Sequence, residues 1–255
     1  MATAATNDRI YCWELIDPTD LLLPAVRGLY ETALDEDERV PWEWIERGVT
    51  SRAGWRPGGT NRHLIVAAAE PNTTNPDELA GFVSCSHIPG YGGYLMYVAV
   101  GERFRRRGVG KRLYEQAFNV LAVDAAANDE PLPFVIWESC PPEADDPPAA
   151  HAIWAARTRL FAKVGGFWID GVTLPCPNWM NPVAPPVPLQ LFLAPVDSPR
   201  EAFDSGTVKA AVRGLLERVY RAEPGDPEYD GTLTPGCHPR LKPAADAGRV
   251  MMAAR

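Results

Sequence analysis

The feature that most restricts how this chain can fold is the run VAVGERFRRRGVGKRLYEQAF at residues 98–118. Small and β-branched residues stop at Val100, three consecutive arginines (Arg105, Arg106 and Arg107) follow, and Gly108 and Gly110 then open an amphipathic stretch. A strand that passes through a glycine turn into a long helix presents the helix's free N–H groups and partial positive charge at that turn. Glycines let a ligand approach the backbone, and guanidinium groups add fixed charge beside it. The simplest partner is a pyrophosphate. Two common phosphate loops are excluded by spacing: a dinucleotide fingerprint needs a third glycine where Leu113 stands, and a P-loop needs Ser or Thr where Arg112 stands.

The rest of the chain surrounds this turn in a definite order. Residues 10–16 read as a strand, and Asp17 and Pro18 read as the cap and first position of a helix that runs through Leu22, Val26, Leu29 and Ala33. A second helix is expected at 40–49 and a strand at 63–70. Strands at 79–88 and 94–100, joined by PGYGG, form an antiparallel hairpin. Then come a helix from 108 to 125, a strand at 133–140, an acidic proline-rich loop, a helix at 151–165, and the strands FWIDGVTL and VPLQLFLAPV. The order β-α-α-β-β-β-α-β-α-β-β predicts an α+β fold: a mixed, mostly antiparallel sheet flanked by helices on both faces. Residues 1–197 form that domain and 198–255 a C-terminal extension, with an amphipathic helix at 207–223 and a proline- and glycine-rich tail of no clear pattern. The apolar stripe of that helix must bury on the same core or on a dimer mate, so monomer and homodimer both stay open.

Charge narrows the partners. With 25 basic against 33 acidic side chains, a net charge of -8, neither nucleic acid nor an anionic membrane is an expected partner. The opening residues lack an apolar signal core and no run reaches membrane-spanning length, so a cytoplasmic protein is expected. Five scattered cysteines, none in C-x-x-C, support neither a disulfide framework nor a metal site.

In its strand–loop–helix setting, Arg105-Arg106-Arg107-Gly108-Val109-Gly110 resembles the signature of the Gcn5-related N-acetyltransferase (GNAT) superfamily: Arg or Gln, two residues, Gly, one residue, then Gly or Ala. The resemblance covers about residues 10–196 and is concentrated in 98–118. It implies an acyltransferase acting from acetyl-CoA or another acyl-CoA by direct attack of a small-molecule amine in a ternary complex. It also implies a bulged central strand, splayed from the next. Val98, Ala99 and Val100 would hold the pantetheine arm and Arg105 to Lys111 the pyrophosphate. The family's helix-four tyrosine, which protonates the leaving thiolate, is matched by Phe161, and a cofactor-contacting Asn is missing from the neighbourhood of Ala152-Ile153-Trp154. These departures keep two alternatives open: a donor that is the phosphopantetheine thioester of an acidic acyl carrier protein, docking on Arg103, Arg105, Arg106, Arg107 and Lys111, or a non-catalytic acyl-CoA-binding module.

An amine acceptor must lose a proton before it attacks. Glu138 is the first candidate base: it shares a face with Phe134 and Ile136, where a carboxyl's pKa rises. His87, beside the PGYGG turn, is the second. Tyr94 and Tyr97, three apart, are expected on opposite faces of the central strand, one of them toward the acceptor. Trp42, Trp44 and Trp55 lie in the segment that shapes the acceptor pocket in the superfamily, with Trp44 the chosen contact. Cys140 is expected to be an inert buried thiol rather than a nucleophile.

Overall fold

In the computed structural model, which describes residues 9–50 and 59–253, two aspartates decide where the first helix begins. After strand β1 (Tyr11–Glu14), the Asp17 carboxylate accepts hydrogen bonds from the Thr19 N–H (2.8 Å) and hydroxyl (2.7 Å), and the Asp20 carboxylate accepts from the Leu22 N–H at 2.8 Å. Two side-chain turns therefore precede α1 (Leu23–Ala33), and Pro24, not Pro18, occupies its first turn. Next come α2 (Trp42–Thr50), β2 (Asn61–Ala68), β3 (Leu79–Ile88), β4 (Gly92–Val100), α3 (Val109–Ala127), β5 (Phe134–Ser139) and α4 (Pro148–Lys163). The expected strand FWIDGVTL is two strands, β6 (Phe167–Asp170) and β7 (Leu174–Cys176), divided at Gly171, whose φ is 90°. After β8 (Val187–Pro195), Asp204 caps α5 (Ser205–Leu215) through the Thr207 N–H at 2.7 Å, and the helix ends in a π turn, Leu216–Tyr220. The tail holds α6 (Pro227–Thr232), β9 (Arg240–Pro243) and α7 (Ala244–Ala253), two helices and a strand that the sequence pattern did not show.

The strands run in the order β1-β2-β3-β4-β5-β8-β6-β9, with β7 paired to β8 off this path. Every pairing is antiparallel except β4 with β5. All ten positions of β3 are buried, because helices cover both faces of the sheet. On one face α3, α4 and α7 pack around Leu113, Leu121, Trp137 and Phe161. On the other, α1 and α2 cover Leu64, Val66 and Phe82, and α5 covers Ile136 and Leu191. Trp137 is fixed between rings, stacked on Phe192 (6.1 Å) and edge-on to Tyr114 and Phe161 (5.5 Å each). The tail completes this layer. β9 pairs with β6, and α7 lies so close to α4 that a Cβ on Gly248 would stand 2.8 Å from Thr158 Oγ1.

One irregularity shapes the centre. Tyr97 pairs with Ser84 and Leu95 with Cys85, so Met96 is an extra residue in β4, a β-bulge. β4 and β5 pair only at Gly93, Tyr94 and Leu95, and beyond Leu95 the two strands part.

A buried ionic cluster ties the outer strands to α3. His63, 2 % exposed, places Nδ1 2.8 Å from Glu14 Oε1 and Nε2 2.6 Å from Asp124 Oδ2. Burial alone lowers the imidazole pKa, but the hydrogen bonds it donates to both carboxylates, with their charges, outweigh this and raise the value to about 9. The group binds its proton more tightly folded than unfolded. Its stabilisation is therefore complete below an ordinary histidine pKa and lost as pH climbs toward 9, at most about 3 kcal/mol at 1.36 kcal/mol per unit. Thermal melts should fall between about pH 6.5 and pH 9, and His63→Asn should flatten that slope. An unchanged slope in the variant would remove His63 as its source.

Candidate active site

Where β4 and β5 part, a cavity of about 1620 Å³ opens through the sheet, walled by α1, α2, α3, α4 and the π turn after α5. Val98, Ala99 and Val100 line it along the open edge of β4. The Gly101 N–H donates to Ala80 O at 2.9 Å, toward β3. Backbone direction alternates along a strand, so Val98 and Val100 turn their N–H and C=O groups to the side that β5 has left.

Below this edge stands the arginine–glycine turn. Arg106 (φ 65°) and Gly108 (φ 79°) are left-handed, and no side chain caps α3. The first helical bond runs from Arg112 N to Gly108 O, so the N–H groups from Arg106 to Lys111 have no backbone partner among the described residues. A Cβ on Gly108 would meet nothing within 4 Å, whereas one on Gly110 would stand 3.0 Å from Leu160. Gly108 thus keeps an approach to bare backbone open, and Gly110 lets α4 close on α3. Arg105, Arg106, Val109 and Lys111 also line the cavity; Lys111 pairs with Glu115 at 2.7 Å, and Arg107 instead lies 5.7 Å over the Phe104 ring. Free N–H groups, a helix start and adjacent cations fit a diphosphate.

Glu138 sits at the wedge itself. Its Oε1 accepts hydrogen bonds from Tyr94 on β4 and, at 2.8 Å, from Tyr220 in the C-terminal extension. Its Oε2 is buried without a hydrogen-bond partner among the described residues. Burial raises the carboxyl pKa to about 7, against the phenolic hydrogen bonds that pull it down. A carboxyl half-ionised near neutrality, with one oxygen anchored and one free at a cavity wall, can accept a proton from a ligand.

Other expected residues fall differently. His87 is 1 % exposed, on the α3 face of β3, with Nε2 3.0 Å from Glu130 Oε1, while its neighbours Ser86 and Ile88 line the cavity. Strand alternation turns it away from the site, and burial lowers its pKa. Tyr94 and Tyr97 both line the cavity instead of facing opposite ways, because the Met96 bulge adds a residue between them. Trp44 lines the cavity with its ring 5.2 Å from Trp179; Trp42 packs on Tyr30 at 5.9 Å, and Trp55 is outside the described residues. The Cys140 thiol, pushed up to about 12 by burial, is no thiolate. Phe161 is buried among Trp137 and Phe192, and the hydroxyl-bearing ring beside it in the cavity wall is Tyr114, 6.0 Å away. The sequence reading missed Tyr114, Trp179, Tyr220 and Arg62 as lining groups; the amphipathic helix that carries Tyr220 was the one available signal.

Residues 26–127 match the model of the acetyltransferase (GNAT) family. This matched segment, about two fifths of the chain, resembles a GNAT-family domain. That family's chemistry is acyl transfer from an acyl-CoA. No curated protein matches the chain. The fold extends the likeness beyond the matched segment: a Bacteroides thetaiotaomicron protein assigned to the GNAT acetyltransferases superposes with a TM-score of 0.55 at 14% identity, over 84% of this chain and 99% of its own. A Desulfovibrio desulfuricans protein assigned to the same family (TM-score 0.47, 14% identity, 73% of this chain and 99% of its own) and Arabidopsis thaliana NAA60 in complex with acetyl-CoA (0.47, 16%, 74% and 100%) are also similar. Among the described residues no group of three or more ligating side chains could hold a metal ion, and no helix is long and apolar enough to cross a membrane.

Gly108→Val should raise the CoA dissociation constant at least tenfold, because the left-handed turn resists a β-branched residue and the new side chain enters the open approach. Calorimetry on the folded variant checks this, and unchanged affinity would remove the turn from the binding site.

Proposed function

We propose that the protein is an N-acyltransferase that transfers an acyl group, acetyl first among them, from a coenzyme A thioester to the amine of a small molecule by direct attack in a ternary complex. The observation that carries this reading is Glu138: a carboxyl with a pKa near neutrality, anchored through one oxygen and free at the other, where the cavity passes between β4 and β5.

Val98 and Val100 offer backbone groups to the pantetheine arm, and the N–H groups from Arg106 to Lys111 hold the pyrophosphate. Bound there, the thioester supplies an activated acyl carbon and a thiolate leaving group. Glu138 Oε2 takes the proton of the acceptor ammonium. Val100 N–H stands on the open edge as a donor to negative charge on the acyl oxygen. Tyr114 Oη, beside Phe161, holds a proton for the sulfur in place of the absent helix-four tyrosine. Trp44, Tyr94 and Tyr97 form the acceptor side, with residues 198–255 contributing Tyr220 to it. The cavity runs past the turn to Arg159 and Lys163, cations that a nucleotide end meets and a bare phosphopantetheine arm does not. This favours coenzyme A. The exposed Arg103, Arg105, Arg106 and Arg107 favour a second reading in which an acidic acyl carrier protein docks at the same turn.

Thiol release from acetyl-CoA with a panel of amines tests the reading; release only with acylated carrier protein would establish the second. The rate should rise with pH through an inflection near 7, as Glu138 loses its proton and becomes a base. Glu138→Gln should lower kcat by about two orders of magnitude or more while CoA affinity holds. Tyr220→Phe removes a hydrogen bond that favours the carboxylate, so the inflection should move to higher pH. Tight CoA binding without turnover for any amine or carrier would make the protein a binding module. Separately, Tyr114→Phe should lower kcat without changing that inflection; an unchanged kcat would take Tyr114 out of the mechanism.

A further inference from the structure

The acceptor end of the cavity carries positive charge that the acyl-transfer chemistry does not use. Arg62 on β2, Arg47 on α2 and Arg221 after the π turn all line it. Their proximity is built into the backbone. A Cβ on Gly48 would stand 3.0 Å from the His63 carbonyl carbon, so α2 lies directly on β2 and sets Arg47 beside Arg62. Arg221 follows Tyr220, the residue that reaches Glu138, and takes a left-handed conformation with φ 59°, uncommon for a residue with a side chain. Arg62 is partly buried, and its pKa is lowered first by desolvation and then by Arg47 and Arg221, both of its own sign. None of the ion pairs among the described residues reaches any of the three. By contrast Arg157, which also lines the cavity, has a carboxylate near it, that of Glu38.

A chain with a surplus of carboxylates lines one cavity with three guanidinium groups that take part in no ion pair among the described residues. Repulsion and desolvation both disfavour this arrangement until an anion fills it. The register fixes where that anion sits relative to the base. Arg62 pairs with Ser86, which pairs with Tyr94, whose hydroxyl meets Glu138. The Cα atoms of Arg62 and Tyr94 are thus two strand spacings, about 10 Å, apart.

We propose that the acceptor carries an anionic group, a carboxylate or a phosphate, which Arg62, Arg47 and Arg221 seat while its amine lies at Glu138. The assignment of the amine rests on the acyl-transfer reading; the anion site does not. Its test uses matched amines that differ at one end: ω-amino carboxylates and aminoalkyl phosphates against the corresponding amides and alcohols. With saturating acetyl-CoA, the anionic members should be preferred at least tenfold in kcat/KM. Arg62→Gln and Arg221→Gln should abolish that preference through KM, with CoA affinity unchanged, and the panel itself tells carboxylate from phosphate. A second arm needs no turnover. In protein saturated with CoA, so that the turn is filled, inorganic phosphate or sulfate should bind by calorimetry, and Arg62→Gln should lose that binding. Equal use of charged and neutral amines, or anion binding that Arg62→Gln leaves intact, overturns the proposal. Failure of CoA binding and thiol release, with anion binding still lost in Arg62→Gln, would overturn the acyl-transfer reading and leave the anion site standing.

Discussion

The insertion of one residue, Met96, into β4 is the constraint from which the site follows. A regular strand would carry its ladder with β5 to the end and close the sheet. With the bulge, pairing stops at Leu95 and several backbone groups of β4 lose their strand partner. Each such hydrogen bond has a net worth of about 1 kcal/mol, so the opening must be held from both sides. β3 keeps β4 through Val100, and β8 keeps β5 along its whole length from Phe134 to Ser139. Behind the wedge, the rings of Trp137, Phe161, Phe192 and Tyr114 fill the space between sheet and helices, so the strands cannot relax together. The same extra residue turns Tyr97 onto the face that Tyr94 occupies.

The C-terminal extension is fastened to that wedge, not laid over it. Tyr91, in the turn between β3 and β4, donates its hydroxyl proton to Ala211 O at 2.7 Å, and its ring fills the place where Gly214 has no side chain. Arg218 reaches back to Pro89 O at 3.0 Å. With α5 so anchored on the hairpin turn, the π turn shifts the register of its last residues and delivers Tyr220 to Glu138 and Arg221 to the cavity wall. π turns concentrate at functional positions because they re-aim side chains at the cost of strained backbone.

Much of this was legible in the sequence, for identifiable reasons. The turn at Arg105–Gly110 and the hairpin before it are local, set by residue types within a few positions, and their bounds agree with the structure to within two residues. The strand face on which Glu138 stands was legible because β5 alternates regularly. His87 and the pair Tyr94–Tyr97 were not, because the face a strand residue takes depends on registry with its neighbours, and a bulge leaves no mark in composition. The tail defeated the pattern for another reason. β9 has four residues and buries one of them, Leu241, so it lacks a periodicity of its own and exists because β6 offers it an edge. Arg62 and Arg221, far apart in sequence, meet only through the fold.

The electrostatics of the cavity bind its parts together. Cations line it in two groups: Arg105, Arg106 and Lys111 at the turn, and Arg47, Arg62 and Arg221 on α2, β2 and the segment after the π turn. A carboxyl close to either group would be held ionised and be a poor proton acceptor. Glu138 escapes this because phenols and apolar side chains surround it, and desolvation, not a charge partner, sets its value near 7.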